Sequence, residues 1–136
     1  MTLIDATRTI MTSYSEALIA HGDFAQYLAS DVTLQLMWTD REAFGRDAVE
    51  GMIRYFHDQA FDAQPELKCL LVDGERAVVE VDFVARHIAD FAGRAATGKE
   101  VRVPYTVIYD LEGDRIKALR IYLSLDELLR QIDAKE

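Results

Sequence analysis

Cysteine and proline are almost missing from this chain: its 136 residues contain one Cys and two Pro. A lone thiol excludes an internal disulfide. Its neighbours Leu67, Leu70, Leu71 and Val72 predict a buried Cys69 that serves as a small hydrophobe. Basic charge is scarce too. Fifteen Lys and Arg face 24 Asp and Glu, and the net charge of −9 argues against nucleic acid and anionic membranes as partners, since both need a basic surface. No apolar run reaches the roughly 20 residues of a membrane span. The first turn carries Asp5 and Arg8 instead of a signal-peptide core, so a cytoplasmic location is the expectation. No pair of His or Cys has metal-ligand spacing, and no Gly-rich phosphate loop precedes a helix; neither a metal nor a nucleotide cofactor is expected.

Half of the residues are apolar, and a chain of this length is expected to form one domain, 1–136, burying roughly two-thirds of its unfolded surface. Its hydrophobic period changes once. Ile10, Met11, Tyr14, Ala17 and Leu18 fall at helical spacing, with Gly22 as the stop and Asp23 as the cap of a short second helix near Phe24 to Leu28. Val32, Leu34 and Leu36 alternate as a strand ending near Trp38. A polar loop from Thr39 to Gly45 leads to a third helix with Val49, Met52, Ile53 and Phe56 on one stripe. After Pro65 the period becomes two. Strands are predicted over Leu67 to Val72, Arg76 to Ile88, Glu100 to Leu111 and Arg115 to Leu123, with turns at Asp73-Gly74 and Glu112-Gly113-Asp114. Ser124-x-x-Glu127 reads as a capping box for a closing helix.

Helices followed by a strand meander imply an α+β fold: a cone-shaped, curved, mixed or antiparallel sheet packed on N-terminal helices, with a C-terminal helix. Tyr14-x-x-Ala17-Leu18, His21-Gly22-Asp23 and Gly45-Arg46-Asp47-Ala48-Val49 lie in the first half. In the second, His87, Phe91, Gly93 and Thr97-Gly98-Lys99 resemble the stretch T-H-x-G-x-F-x-G-x-x-P-T-G, and Leu128-Leu129-x-Gln131 follows. Together these resemble the SnoaL-like polyketide cyclases of the nuclear transport factor 2-like superfamily. The resemblance spans the whole chain and implies a conical pocket, a small hydrophobic ligand and a homodimer.

The departures from that family are equally specific. The strand end where the cyclases carry an acid–base Asp holds Ser124, and Leu119 and Arg120 replace the His and Trp often found there. Ketosteroid isomerases share the fold and use a Tyr and two Asp; Tyr14 fits the first, but Leu36 and Thr106 stand at the acids. Limonene epoxide hydrolases use an Arg and two Asp, which align with Glu80, Asp82 and Ile121, so only Asp82 matches.

The candidate catalytic groups are therefore His87 and Asp82. Alternation puts Val79, Val81, Phe83, Ala85 and His87 on one strand face and Glu80, Asp82 and Arg86 on the other. An inward His87 is either an acid–base group at the cavity or a histidine bonded to its loop. Asp82 faces outward by this parity, whereas the epoxide hydrolase alignment turns it inward through a bulge. Candidate ligand-binding residues are Tyr14, Trp38, Tyr105, Leu119 and Ile121; for Tyr14 and Trp38 plain packing reads equally well, and Tyr105 sits on a strand, where aromatics belong anyway. His21 and His57 read as structural, His57 near a helix C-terminus that favours imidazolium.

Two functions follow: a cofactor-free acid–base enzyme of the cyclase, isomerase or hydrolase type, or a non-catalytic module that binds a small molecule or dimerises. Both require a pocket of roughly 300 Å³ or more. The dimer would use an outer sheet face bearing Glu80, Asp82, Arg102, Arg120 and Tyr122.

Overall fold

The computed structural model describes residues 2–135. Helix α1 (Leu3–Ile19) begins at a capping box missed in the sequence, in which Thr2 and Asp5 bond each other's backbone amides. Its end also differs from expectation. His21, not Gly22, takes the left-handed conformation (φ 58°), and the amides of His21 and Gly22 close onto the Leu18 and Ala17 carbonyls. A 3-10 turn (Phe24–Tyr27) follows, for which Asp23 supplies no side-chain cap. Then come β1 (Leu28–Leu36), β2 (Glu42–Phe44), α2 (Arg46–Arg54), a widened π turn (Tyr55–Gln59) and β3 (Phe61–Ala63). The meander is β4 (Glu66–Asp73), β5 (Arg76–His87), β6 (Glu100–Glu112) and β7 (Arg115–Leu123), closed by α3 (Leu125–Asp133).

The curled sheet runs β2-β1-β7-β6-β5, with β3 and β4 both pairing with β5. All pairings are antiparallel except β1 with β7. The β5–β6 register is unbroken from Arg76↔Asp110 to Arg86↔Glu100, so the predicted alternation holds. Ala77, Val79, Val81, Phe83, Ala85 and His87 are buried on the inner face, and no bulge in this pairing turns Asp82 inward. The irregularity lies instead in β4, between Leu67 and Cys69. That strand pairs only with β5 and is largely exposed. Cys69 is exposed with it, against the expectation of burial.

Two apolar clusters fill the inside. One joins α1 and α2 to the sheet through Met11, Tyr14, Val49 and Ile53; the other joins Phe61, Phe83 and Phe91 to Leu128 and Ile132 of α3. Tyr105 and Ile121 touch both. Helix α3 is pinned as if it were a strand: the Arg102 amide donates to the Gln131 side-chain oxygen at 2.8 Å, and the Gln131 amide returns a 2.9 Å bond to the Arg102 carbonyl. This replaces the ladder that β7 no longer provides, since its pairing with β6 stops at Tyr105↔Leu123.

Candidate functional site

The seam between the two clusters leaves a small apolar cleft of about 50 Å³. Leu34 and Leu36 come from β1, Met52 and Ile53 from α2, and Phe56 and His57 from the π turn. Phe83, Tyr105, Ile121 and Leu123 supply the sheet wall. Its size falls well short of the expected 300 Å³, because Phe56, Phe83 and Tyr105 fill much of the concavity. Of the ten lining residues only His57 and Tyr105 carry a side-chain nitrogen or oxygen, and none is a carboxylate. Burial raises the Tyr105 phenol well above its usual range, so its hydroxyl stays protonated at neutral pH.

His57 is the group that sequence reasoning missed. Its ring is buried, with Phe83 edge-on at 5.9 Å. Nδ1 lies 2.9 Å from the Ile53 carbonyl; a carbonyl only accepts, so Nδ1 carries the proton and Nε2 presents a lone pair. Nε2 is buried and has no protein partner. Burial depresses the His57 pKa, outweighing the Ile53 bond and the nearby Asp58. The ring is neutral at pH 7, not the imidazolium that a helix C-terminus would favour. Its burial depends on Phe83, 26 positions away in sequence, which local patterning does not reveal.

The predicted site residues separate. Tyr105 and Ile121 line the cleft. Leu119 is buried beside it, in the α1-side cluster. Tyr14 packs edge-on against Phe24 and Tyr109 beneath α1, and burial raises its phenol pKa. Trp38 leaves the core altogether: its positive φ of 64° ends β1 in a turn, and the indole is 78% exposed, edge-on to Tyr122 at 5.7 Å.

His87 points inward but lies outside the cleft lining. The Thr97 hydroxyl lies 3.0 Å from its Nδ1 and the Thr97 amide donates to the same nitrogen at 3.3 Å, so the ring is tied to its own loop. Nε2 is buried without a partner and the ring lies against Phe61. The loop after it is a plug. Phe91 packs on Phe56 and Phe61 at 5.5 and 5.1 Å, and Arg94 forks onto Asp133 of α3.

Asp82 sits on the outer face, where Arg102 reaches it at 2.9 Å and Lys68 at 3.4 Å. Partial burial works against its ionisation, but these cations outweigh that and hold the carboxyl below its usual range, a poor setting for a base. Ser124 is exposed and accepts the Glu127 amide at 3.2 Å as the cap of α3. The reciprocal half of that capping box is absent, since the Glu127 carboxylate binds Arg130. Among the described residues no group of three His, Cys, Asp or Glu is gathered for a metal, and no helix is long and apolar enough to cross a membrane.

The architecture recurs in solved structures. A SnoaL-like protein from Jannaschia sp. CCS1 superposes with a TM-score of 0.88 at 13% identity, covering 100% of this chain and 97% of its own. A proposed polyketide cyclase from Xanthomonas campestris gives 0.83 at 19% identity, with 97% and 100% covered. A Catenulispora acidiphila protein of ketosteroid isomerase-like fold, solved with trimethylamine, gives 0.72 at 18%, with 90% of each chain covered. At these identities the likeness is one of fold. No curated protein matches the chain. A model of the SnoaL-like polyketide cyclases matches residues 8–132, nearly the full length, and the chain belongs to that family.

Proposed function

We propose that this protein binds a small, largely apolar molecule in the cleft between α2, the π turn and the sheet, without the carboxylate acid–base step of a cyclase. One observation carries the reading: the cleft wall contains no carboxylate, while the candidate catalytic groups His87 and Asp82, and Ser124, stand outside it. An aldol-type closure needs a group to remove and return a proton at the reacting carbon, and a serine hydroxyl engaged as a helix cap does not do so near neutral pH. The occupant's body is apolar, because burying polar atoms against Leu, Phe and Ile without partners is costly. A 50 Å³ space admits only a small group, so a larger ligand enters by displacing the half-buried Met52, whose thioether chain adapts easily.

Methyl-labelled methionine NMR with toluene as the probe tests this. Met52 is expected to shift on titration, whereas Met11, buried in the α1 cluster, stays still. Met52→Trp should abolish the effect with an unchanged far-ultraviolet circular dichroism spectrum. A Met52 resonance unmoved at saturating toluene would remove the binding reading.

A further inference from the structure

Tyr105 is out of step with its own strand. Val103 and Val107, two residues away on the same inner face of β6, are buried, whereas Tyr105 in mid-strand keeps accessible surface. Two separate openings in the core end on it. One is the cleft described above. The other is a crevice of about 20 Å³ beside α1, lined by Leu18 and Ile19 of that helix, Leu67 of β4, Val79 and Val81 of β5, and Tyr109. Among the described residues Tyr105 alone lines both.

The strand registers set Tyr105 between the two openings. Leu67, Val81, Tyr105 and Leu123 stand side by side across β4, β5, β6 and β7. Leu67 and Val81 belong to the crevice and Leu123 to the cleft. The next row is divided in the same way: Val79 lines the crevice, Ile121 lines the cleft, and only Val107 separates them. From Leu67 to Leu123 the row covers three inter-strand spacings, about 14 Å.

We infer that the Tyr105 ring partitions one apolar channel into these two openings and so sets the length of the molecule that the channel accepts. This role rests on the binding reading above and adds the residue that limits the occupant's size. The side chain reaches to both sides. Phe83 of the cleft meets its ring edge-on at 6.3 Å. On the α1 side, burial raises the pKa values of Tyr14 and Tyr109, and the nearby Tyr105 phenol raises them further. Its row neighbours Val81 and Leu123 are aliphatic and smaller, so the ring is the barrier. A shorter side chain at 105 would join the openings instead of leaving a sealed void.

Toluene and biphenyl, with one ring and two, form the discriminating pair, read by methyl NMR at Met52 in the cleft and Ile19 in the crevice. In the wild-type protein toluene should move Met52, and biphenyl should bind more weakly than toluene and leave Ile19 still. In Tyr105→Ala biphenyl should move both methyls, with an association constant higher by about tenfold or more from burying its second ring. Tyr105→Phe keeps the ring and should behave as the wild type. Tyr105→Leu should follow Tyr105→Ala, and replaces it in the test where the alanine variant does not fold. Wild-type binding of biphenyl as tight as that of toluene would overturn the inference. So would a folded alanine or leucine variant in which biphenyl gains no affinity or leaves Ile19 unmoved; in either case the cleft stays an apolar binding site. Toluene that leaves the wild-type Met52 unmoved would remove the binding reading itself, and the inference with it.

Discussion

The His21 imidazole reaches the Asp58 carboxylate at 2.5 Å, tying the left-handed end of α1 to the π turn beside the cleft. The other ring nitrogen lies 2.7 Å from the Ala63 carbonyl, so each nitrogen has an oxygen acceptor, an arrangement that favours the imidazolium. Arg54 completes the junction, bonding Glu50, Asp58 and the Gly22 carbonyl while lying over the Phe24 ring.

That junction predicts a pH-dependent stability. Burial opposes protonation of His21, but the Asp58 bond, the Ala63 carbonyl and nearby Asp62 outweigh it and raise its pKa. Asp58 is shifted the other way: burial raises its pKa, but His21 and Arg54 lower it further. A raised histidine stabilises fully below its unfolded value of about 6.5 and loses that contribution as pH rises through its folded pKa. A lowered Asp keeps its contribution above about 3.9 and loses it as pH falls through its folded pKa. Asn tolerates a positive φ, so His21→Asn removes the charge with little backbone strain. Urea unfolding should show His21→Asn less stable by about 1–2 kcal/mol near pH 5–6, with the gap closing as pH rises through the raised pKa of His21. A gap independent of pH would contradict the assignment.

The Phe91 plug makes a separate prediction. Its ring is buried and contacts Tyr55, Phe56 and Phe61, joining the Gly-rich loop to the π turn and β3. Phe91→Ala should destabilise by about 3–5 kcal/mol through the cavity it leaves. Loop amides from 89 to 98 should exchange hydrogen faster, while those of the α1-side cluster keep their protection. Uniform loss of protection across the chain would show that the plug is not a separable unit.

These contacts mark the limit of what the sequence shows. The alternation Val79, Val81, Phe83, Ala85 was enough to orient β5, because a strand of 12 residues repeats its period several times. Strands β2 and β3 have three residues each, too few to display a period. They exist through partners such as Thr33↔Phe44 and Phe61↔His87. Cys69 misled because apolar neighbours imply burial only where both sheet faces are covered, and β4 lies off the main strand path. His57 was invisible for a related reason. Its tautomer is set by Ile53, four residues before it, but its burial is set by β5.

The outer sheet face predicts assembly. An exposed Trp38 meets the half-buried Tyr122 edge-on there, with Arg120 bonded to Asp110, and Arg102 bonded to Glu66 and Asp82. We expect a two-fold dimer across this face, since aromatics flanked by mixed charge suit a self-complementary contact. Sedimentation at micromolar concentration should give twice the 15.4 kDa chain mass, and Trp38→Ala should shift it toward the single chain. A single-chain species in the wild-type protein would refute this.

Position 124 separates the structural role of a residue from its chemical one. The Ser124 hydroxyl is engaged with the Glu127 amide, outside the cleft lining. Asp and Ser are nearly equivalent N-caps, so Ser124→Asp should leave stability within about 0.5 kcal/mol, whereas Ser124→Ala should cost about 1 kcal/mol. The new carboxylate would remain directed at the helix amides, which stabilise its charge and lower its basicity. We therefore expect neither the wild-type protein nor Ser124→Asp to cyclise a polyketide ester in a direct turnover assay. Turnover gained with Ser124→Asp would mean that the side chain at 124 reaches the bound substrate, and would return the protein to the acid–base chemistry of the cyclases.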